Sequence, residues 1–291
     1  MKRREFIQTS AGAAALMALP SFTIPPKRKI GLQLYSLRYI INYDPKGIMK
    51  RVASYGYQEL ETYGYQDGKL FGMKSKEFAT VVREHGMKIT SGHYKLGKSE
   101  SLKSWKGTLL NDWERAVADA KEIGQEYMVL AYLEKDERTS LDDYKFVIEK
   151  LNRAAEVCKK YGIQLSYHNH EFEFESFEGQ VAYDLMLKEL DPKLVTMELD
   201  LYWVTVANLN PLDYFEKYPG RFDQWHVKDM DKVNSRLQVD VGTGRIDFEA
   251  IFAKASQSGM KHFYIEQEHY PIAPLESIEK SILNLKAILK A

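Results

Sequence analysis

Strict two-residue alternation recurs along this chain, and in each stretch the two sets of side chains differ sharply in character. In VTMELD (195–200), Val195, Met197 and Leu199 are apolar while Thr196, Glu198 and Asp200 are polar. IQLSYH (163–168) sets Ile163, Leu165 and Tyr167 against Gln164, Ser166 and His168. In FDQWH (222–226) and the residue after it, Trp225 and Val227 oppose Gln224 and His226, and HFYIE (262–266) sets Phe263 and Ile265 against Tyr264 and Glu266. Successive side chains of a strand point to opposite faces. Each strand therefore has one face fit to pack on helices and one that carries polar groups. An open parallel sheet covered on both faces wants apolar residues at nearly every position. A closed parallel barrel ringed by helices accounts for the alternation better.

The rest of the chain keeps the same rhythm. Strand patterns at 29–37, 57–63, 87–94 and 126–133 precede the four above. Helical periodicity fits 45–54, 75–84, 110–123, 141–161, 181–190, 211–218, 248–258 and 275–289. Gly56, Gly86, Gly124, Gly162, Pro192 and Gly259 stand just before strands, where a tight turn needs a breaker. Eight strand–helix units predict a (β/α)8 TIM barrel, an α/β fold in a single domain over 27–291. Longer loops follow strands three (95–108) and seven (229–246), on the rim where such barrels keep their chemistry. The GTG at 242–244 lacks the strand, glycine-rich loop and lysine-bearing helix of a phosphate site, and reads as a tight turn.

The first 26 residues read as a targeting segment. Arg3-Arg4-x-Phe6-Ile7 precedes a short run of small apolar residues and a proline-rich stretch ending at Pro26, the form of a twin-arginine-type signal peptide. The run is too short for an ordinary membrane span, and no cysteine follows it, so no stable membrane anchor is expected. The expected location is the periplasm, with the export machinery a partner only during targeting. Lys plus Arg and Asp plus Glu both total 41, which argues against a nucleic-acid surface. The single cysteine, Cys158, excludes a disulfide framework and reads as a small helix-packing residue. Oligomer formation is compatible with the sequence.

Parallel strands gather their C-terminal ends at one rim. Tyr35 closes strand one, Glu61 strand two and His93 strand three; His168 closes strand five with His170 just beyond; Asp200 closes six, His226 and Lys228 seven, and Glu266 eight. Two histidines and two carboxylates on four consecutive strands, His168, Asp200, His226 and Glu266, suit a divalent ion (Mn, Zn, Co, Fe or Mg, with Mn or Zn favoured). Glu266, His93, His170 and Lys228 are the candidates for proton transfer and oxygen polarisation. The bland alternative for Lys228 is a salt bridge to Glu198 or Asp229. Tyr35 and Trp203 offer flat surfaces for a sugar ring, and Glu61 offers an acceptor for sugar hydroxyls or, alternatively, a buried salt bridge.

GLQLYSLR, SGHY, YHNHEFEF, MELDLYW, WHVKDMD, VGTGRIDF and YIEQEH, in that order, resemble the xylose-isomerase-like TIM-barrel superfamily across 29–291. It includes sugar-phosphate isomerases and epimerases, keto-sugar epimerases, inosose dehydratases and apurinic endonucleases. The resemblance implies that one ligand each from strands five to eight, here His168, Asp200, His226 and Glu266, holds the metal. It implies a small carbohydrate substrate and an isomerase or epimerase acting on a keto-sugar through a metal-stabilised enediolate. Two positions depart from the epimerase pattern. Strand five offers His168 in place of a glutamate, and Trp203 stands where epimerases carry a histidine. These departures, and export, leave a 3-keto-glycoside lyase or hydratase as an alternative, and a non-catalytic periplasmic sugar-binding protein as another. With one glutamate missing, a free imidazole is the expected base, His93 ahead of His170 because strand three faces strand seven across the barrel.

Overall fold

The two parities read from the sequence are the two faces of a barrel wall. Its strands are β1 (Gly31–Gln33), β2 (Glu59–Thr62), β3 (Lys88–Lys95), β4 (Tyr127–Tyr132), β5 (Gln164–His168), β6 (Val195–Asp200), β7 (Gln224–Val227) and β8 (His262–Ile265). They pair in parallel in sequence order, and β8 pairs with β1 to close the ring. The computed structural model describes residues 28–290, so the expected signal segment, 1–26, lies outside the described residues.

On the outer face, Val195, Met197, Leu199, Trp225 and Val227 join the hydrophobic core beneath the helices. The Trp225 ring lies nearly parallel to Phe215 at 5.0 Å and edge-on to Phe252 at 5.3 Å. The inner face is a polar core, part of it cross-linked by hydrogen bonds between strands. Gln224 donates to the Ser91 hydroxyl across the barrel at 2.9 Å, and the Thr90 and Tyr264 hydroxyls meet at 2.9 Å.

The helices are α1 (Pro45–Tyr55), α2 (Ser75–Glu84), α3 (Trp113–Ile123), α4 (Leu141–Lys160), α5 (Ala182–Glu189), α6 (Leu201–Val206), α7 (Pro211–Lys217), α8 (Phe248–Ala253), α9 (Ala255–Ser258) and α10 (Pro274–Leu289). Local chemistry sets their ends. At α1, the Asp44 carboxylate accepts from the Gly47 N–H at 2.9 Å, Pro45 occupies the first turn, and Gly56 closes the helix at φ +94°. Cys158 is buried on α4, the packing role expected of it. Among the described residues no helix is long and apolar enough to cross a membrane.

Three local elements differ from the expected pattern. Strand one stops at Gln33, whose side chain accepts from the Tyr35 N–H at 2.9 Å and turns Leu34–Leu37 into a 3-10 helix. Tyr35 is thus on a turn, 37% exposed, and not on a strand end. Helix α6 follows β6 directly, so Trp203 is helical. The segment 248–258 breaks at Lys254 into α8 and α9.

Candidate metal centre

Barrel stagger decides which strand ends meet. His168 lies level with Glu198, two residues below the end of β6, while Asp200 lies level with His226. His226 in turn lies level with Tyr264, which leaves Glu266 a step higher. This is the strand tilt that closure of a barrel demands. The four rim residues therefore occupy several levels, and the His226 ring stands between two groups of ligand-type atoms.

The upper group is Asp200, His226 and Glu266, whose ligand atoms lie within 4.8 Å of one another. His226 Nδ1 is 3.0 Å from Glu266 and 3.8 Å from Asp200 Oδ2, and His168 Nε2 is 3.9 Å from that same oxygen. Asp200 divides its carboxylate between two tasks. Oδ1 accepts the N–H groups of Tyr202 and Trp203 at 2.8 and 3.0 Å and so caps α6. Oδ2 is buried, faces the site, and has no hydrogen-bond partner. It is within ion-pair range of Lys228, at 3.0 Å, without hydrogen-bond geometry.

The lower group is His93, His168, Glu198 and His226. His93 Nε2 is 2.9 Å from Glu198 and 3.0 Å from Glu61; His226 Nε2 is 2.6 Å from Glu61 and 3.4 Å from Glu198. His168 Nδ1 and Glu198 Oε1 are buried without a hydrogen-bond partner. Such orphaned polar atoms cost free energy when nothing meets them. Together with Asp200 Oδ2, they are the observation by which these residues fit a cation. Glu198 was not among the expected ligands, although it shares the inward parity of Asp200.

Glu61 lies at the barrel centre, fully enclosed. It accepts from Gln33 at 2.7 Å and from Ser91 at 2.6 Å besides pairing with both imidazoles. This is the buried ion pair foreseen as its alternative role, and the side chain does not line the cavity. Lys228 pairs neither with Glu198 nor with Asp229. Its ammonium sits 2.7 Å from Glu266, 2.6 Å from Glu268 and 3.0 Å from Asp200. Trp203 stands behind the site, its ring 5.3 Å from the Lys228 ammonium and 5.5 Å from the His170 ring.

Electrostatics separate the histidines. For His93, burial opposes the cation, but Glu61 and Glu198 outweigh it and lift the imidazole to about 9. For His226, burial is likewise outweighed, here by Glu198, Glu266 and Glu61, and the ring is held well above its usual value. Burial and then His226 hold His168 well below its usual range; burial and then Lys228 do the same for His170. Burial and then the Glu61 charge raise Glu198 to about 7. For Glu266, burial is overcome by Lys228 and His226, which keep it ionised. The His170 Nδ1 is buried without a partner, and the backbone N–H of His170 donates to Glu173 at 2.8 Å.

Over this centre opens a cavity of about 550 Å³. Tyr35, His93, His168, His170, Glu266 and Glu268 line it, as do Tyr65, Trp105 and Tyr132, the last edge-on to the His170 ring at 5.0 Å. The long loop after β7 is fixed by Asp229, whose carboxylate accepts the N–H groups of Met230, Gly242, Gly244 and Ile246 at 2.8, 2.9, 2.8 and 3.2 Å. Gly242 adopts φ +82°, and a Cβ on Gly244 would strike the Met230 carbonyl and the Asp229 carboxylate. GTG is thus the tight turn expected, its two glycine N–H groups donating to the Asp229 carboxylate and that of Thr243 to the Asp240 carbonyl.

The profile of the family described as xylose isomerase-like TIM barrel matches residues 49–288. Among solved structures, a sugar phosphate isomerase/epimerase from Parabacteroides distasonis ATCC 8503 is similar over 91% of this chain and 96% of its own, at 31% identity and a TM-score of 0.77. An IolI protein with a bound zinc atom shares the fold over 90% of this chain and 98% of its own, at 14% identity and a TM-score of 0.70. Among curated proteins, the inosose dehydratase of Bacillus licheniformis is 28% identical over 176 residues, 50% of this chain and 57% of that protein. The chain spans about half the length of the curated relatives it matches.

Proposed function

We propose a function from the premise that this chain belongs to the xylose isomerase-like TIM barrel family: it is a metal-dependent enzyme that removes a proton from the carbon beside the carbonyl of a keto-sugar. The observation that carries this reading is the pairing of opposite proton-transfer groups on one cavity. Burial and the Lys228 charge favour the neutral His170 ring, Glu61 and Glu198 favour the protonated His93 ring, and both rings line the cavity. Groups whose surroundings push their pKa values apart are the acid and base of an active site.

His168, Asp200, His226 and Glu266 would hold the ion, with Mn or Zn favoured by two imidazoles and two carboxylates. Bound there, a divalent ion supplies Lewis-acid polarisation of a carbonyl oxygen. The chain's own residues do the rest. His170 accepts the proton from the carbon next to the carbonyl, and the C–H electron pair moves toward the carbonyl oxygen. The Lys228 ammonium, 2.6–3.0 Å from Asp200, Glu266 and Glu268, holds those carboxylates in position from behind the cavity.

Elimination is favoured over epimerisation as the fate of that carbanion. Epimerisation by two opposed glutamates is not supported, because β5 ends on His168. An acid on the same cavity completes a β-elimination: the electron pair returns, the bond to a β oxygen breaks, and His93 protonates the leaving oxygen. The dehydratase name of the curated relatives is consistent with that outcome. The test is incubation of metal-loaded protein in D2O with a panel of keto-sugars and 3-keto-glycosides. Deuterium should enter beside the carbonyl of a substrate, and aglycone or water release marks elimination. A changed sugar without release marks isomerisation. Absence of exchange across the panel would leave the sugar-binding reading.

Export rests on Arg3-Arg4 and the apolar run behind them. Replacing both arginines with lysine should retain the protein in the cytoplasm. Unchanged fractionation would sink the periplasmic assignment and bring sugar phosphates back as substrates.

A further inference from the structure

The cavity over the metal centre is larger than the chemistry at its floor requires. Pockets that take drug-sized ligands run to ~300–1,000 Å³, and 550 Å³ is more than one pyranose ring fills. Trp105, on the loop after β3, lines the cavity together with Tyr65, Lys95 and Glu134. The indole is fixed in place: its Nε1–H donates to the Tyr65 carbonyl at 2.9 Å. Lys95 reaches over the ring, 5.6 Å from its centre, and pairs with Glu134 at 3.4 Å. This part of the wall therefore offers a fixed aromatic face beside one cation and one anion that neutralise each other. A phosphate or a carboxylate would find no net charge there to bind. The apolar C–H face of a neutral ring would find a platform, and its hydroxyls would find both a donor and an acceptor.

We infer that Trp105 is the platform of a second subsite, and that the substrate is a two-ring glycoside carrying a neutral sugar or aryl group beyond the ring that reacts. This rests on the keto-sugar reading above for the first ring only. It also supplies the group that an elimination would expel.

Equilibrium binding separates the two ideas, because unoxidised ligands report on the subsite without turnover. Calorimetric titration of the metal-loaded protein with glucose, cellobiose and 4-nitrophenyl β-glucoside should show the two-ring ligands binding about tenfold more tightly, the scale of one good aromatic stack. Trp105→Ala should erase that advantage and leave glucose within about twofold of wild type. Trp105→Phe, which loses the hydrogen bond to Tyr65 but keeps a face, should retain most of it. A thermal melt of each variant guards against misfolding. Preference for only one of the two-ring ligands identifies the second ring as sugar or aryl. Two-ring ligands that bind no better than glucose, or do not bind, overturn the inference. So does an equal loss for all three ligands in Trp105→Ala when Trp105→Phe behaves as wild type. If the preference is present but no keto-sugar exchanges deuterium, the subsite stands and the proposed reaction falls.

Discussion

Asp200→Asn protein should leave purification nearly free of the divalent ion that the wild type carries, yet melt close to the wild-type temperature. The two oxygens of Asp200 are spent differently, and the substitution separates them. The amide oxygen can still accept the N–H groups of Tyr202 and Trp203 and cap α6, while the anionic Oδ2 that faces His226 is lost. Disturbing a residue behind the ligands typically costs ~10–100-fold in metal affinity, and losing a ligand should exceed that. Asp200→Ala should lose both functions, adding about 1 kcal/mol of destabilisation for the missing cap. Glu198→Gln is the control, since it alters the lower group alone and should retain metal if the upper group holds the ion. Metal content by elemental analysis, with the melts, reads all three. Undiminished metal in Asp200→Asn together with loss in Glu198→Gln would move the ion to the lower group. The carboxylates around His226 favour its protonated form despite burial. An incoming ion must displace that proton, so affinity should strengthen as pH rises.

His170→Ala should keep the metal and lose ~10²–10⁴ of turnover, the usual worth of a positioned general base, together with deuterium exchange beside the carbonyl. Burial and the nearby Lys228 charge keep the imidazole neutral, and Glu173 holds the backbone that presents it. His93→Ala, by contrast, removes the proposed acid. It should retain exchange while product release falls, because proton removal precedes expulsion of the leaving group. Exchange that survives in His170→Ala and vanishes in His93→Ala would return the base role to His93.

Strand geometry alone puts His93 forward as the base, whereas the carboxylates around it are the reason we propose it as the acid. Strand three does place His93 opposite β7, its ring stacked 5.2 Å from His226. The sequence, however, says nothing of the carboxylates that converge on it from β2 and β6. Glu61 and Glu198 are 137 positions apart and meet only because the barrel closes. The barrel itself was legible, because two-residue parity survives any detail of register. Val195, Met197 and Leu199 face outward and Thr196, Glu198 and Asp200 inward, as the alternation requires. What parity cannot carry is level. Placing His168 opposite Glu198 and not Asp200 is a property of strand tilt, which leaves no mark in local composition. Loop elements were hidden for a different reason. The two-residue strands of the hairpins after β2, β5 and β7 are too short to show a period. The loop after β3 that carries Trp105 is likewise aperiodic.

The carboxylate of Asp229 works like the knot of a drawstring. It gathers N–H groups from both ends of the loop after β7, and the residues from Asp231 to Leu237 hang beyond it, with Val233 almost wholly exposed. Lengthening or shortening that tip changes what stands outside the knot without pulling on His226 or Lys228 behind it. Loops held this way are where a fold tolerates insertion. An evolving lineage can therefore explore new tips over an unchanged catalytic floor, and the same boundary marks where a designer can graft a foreign segment.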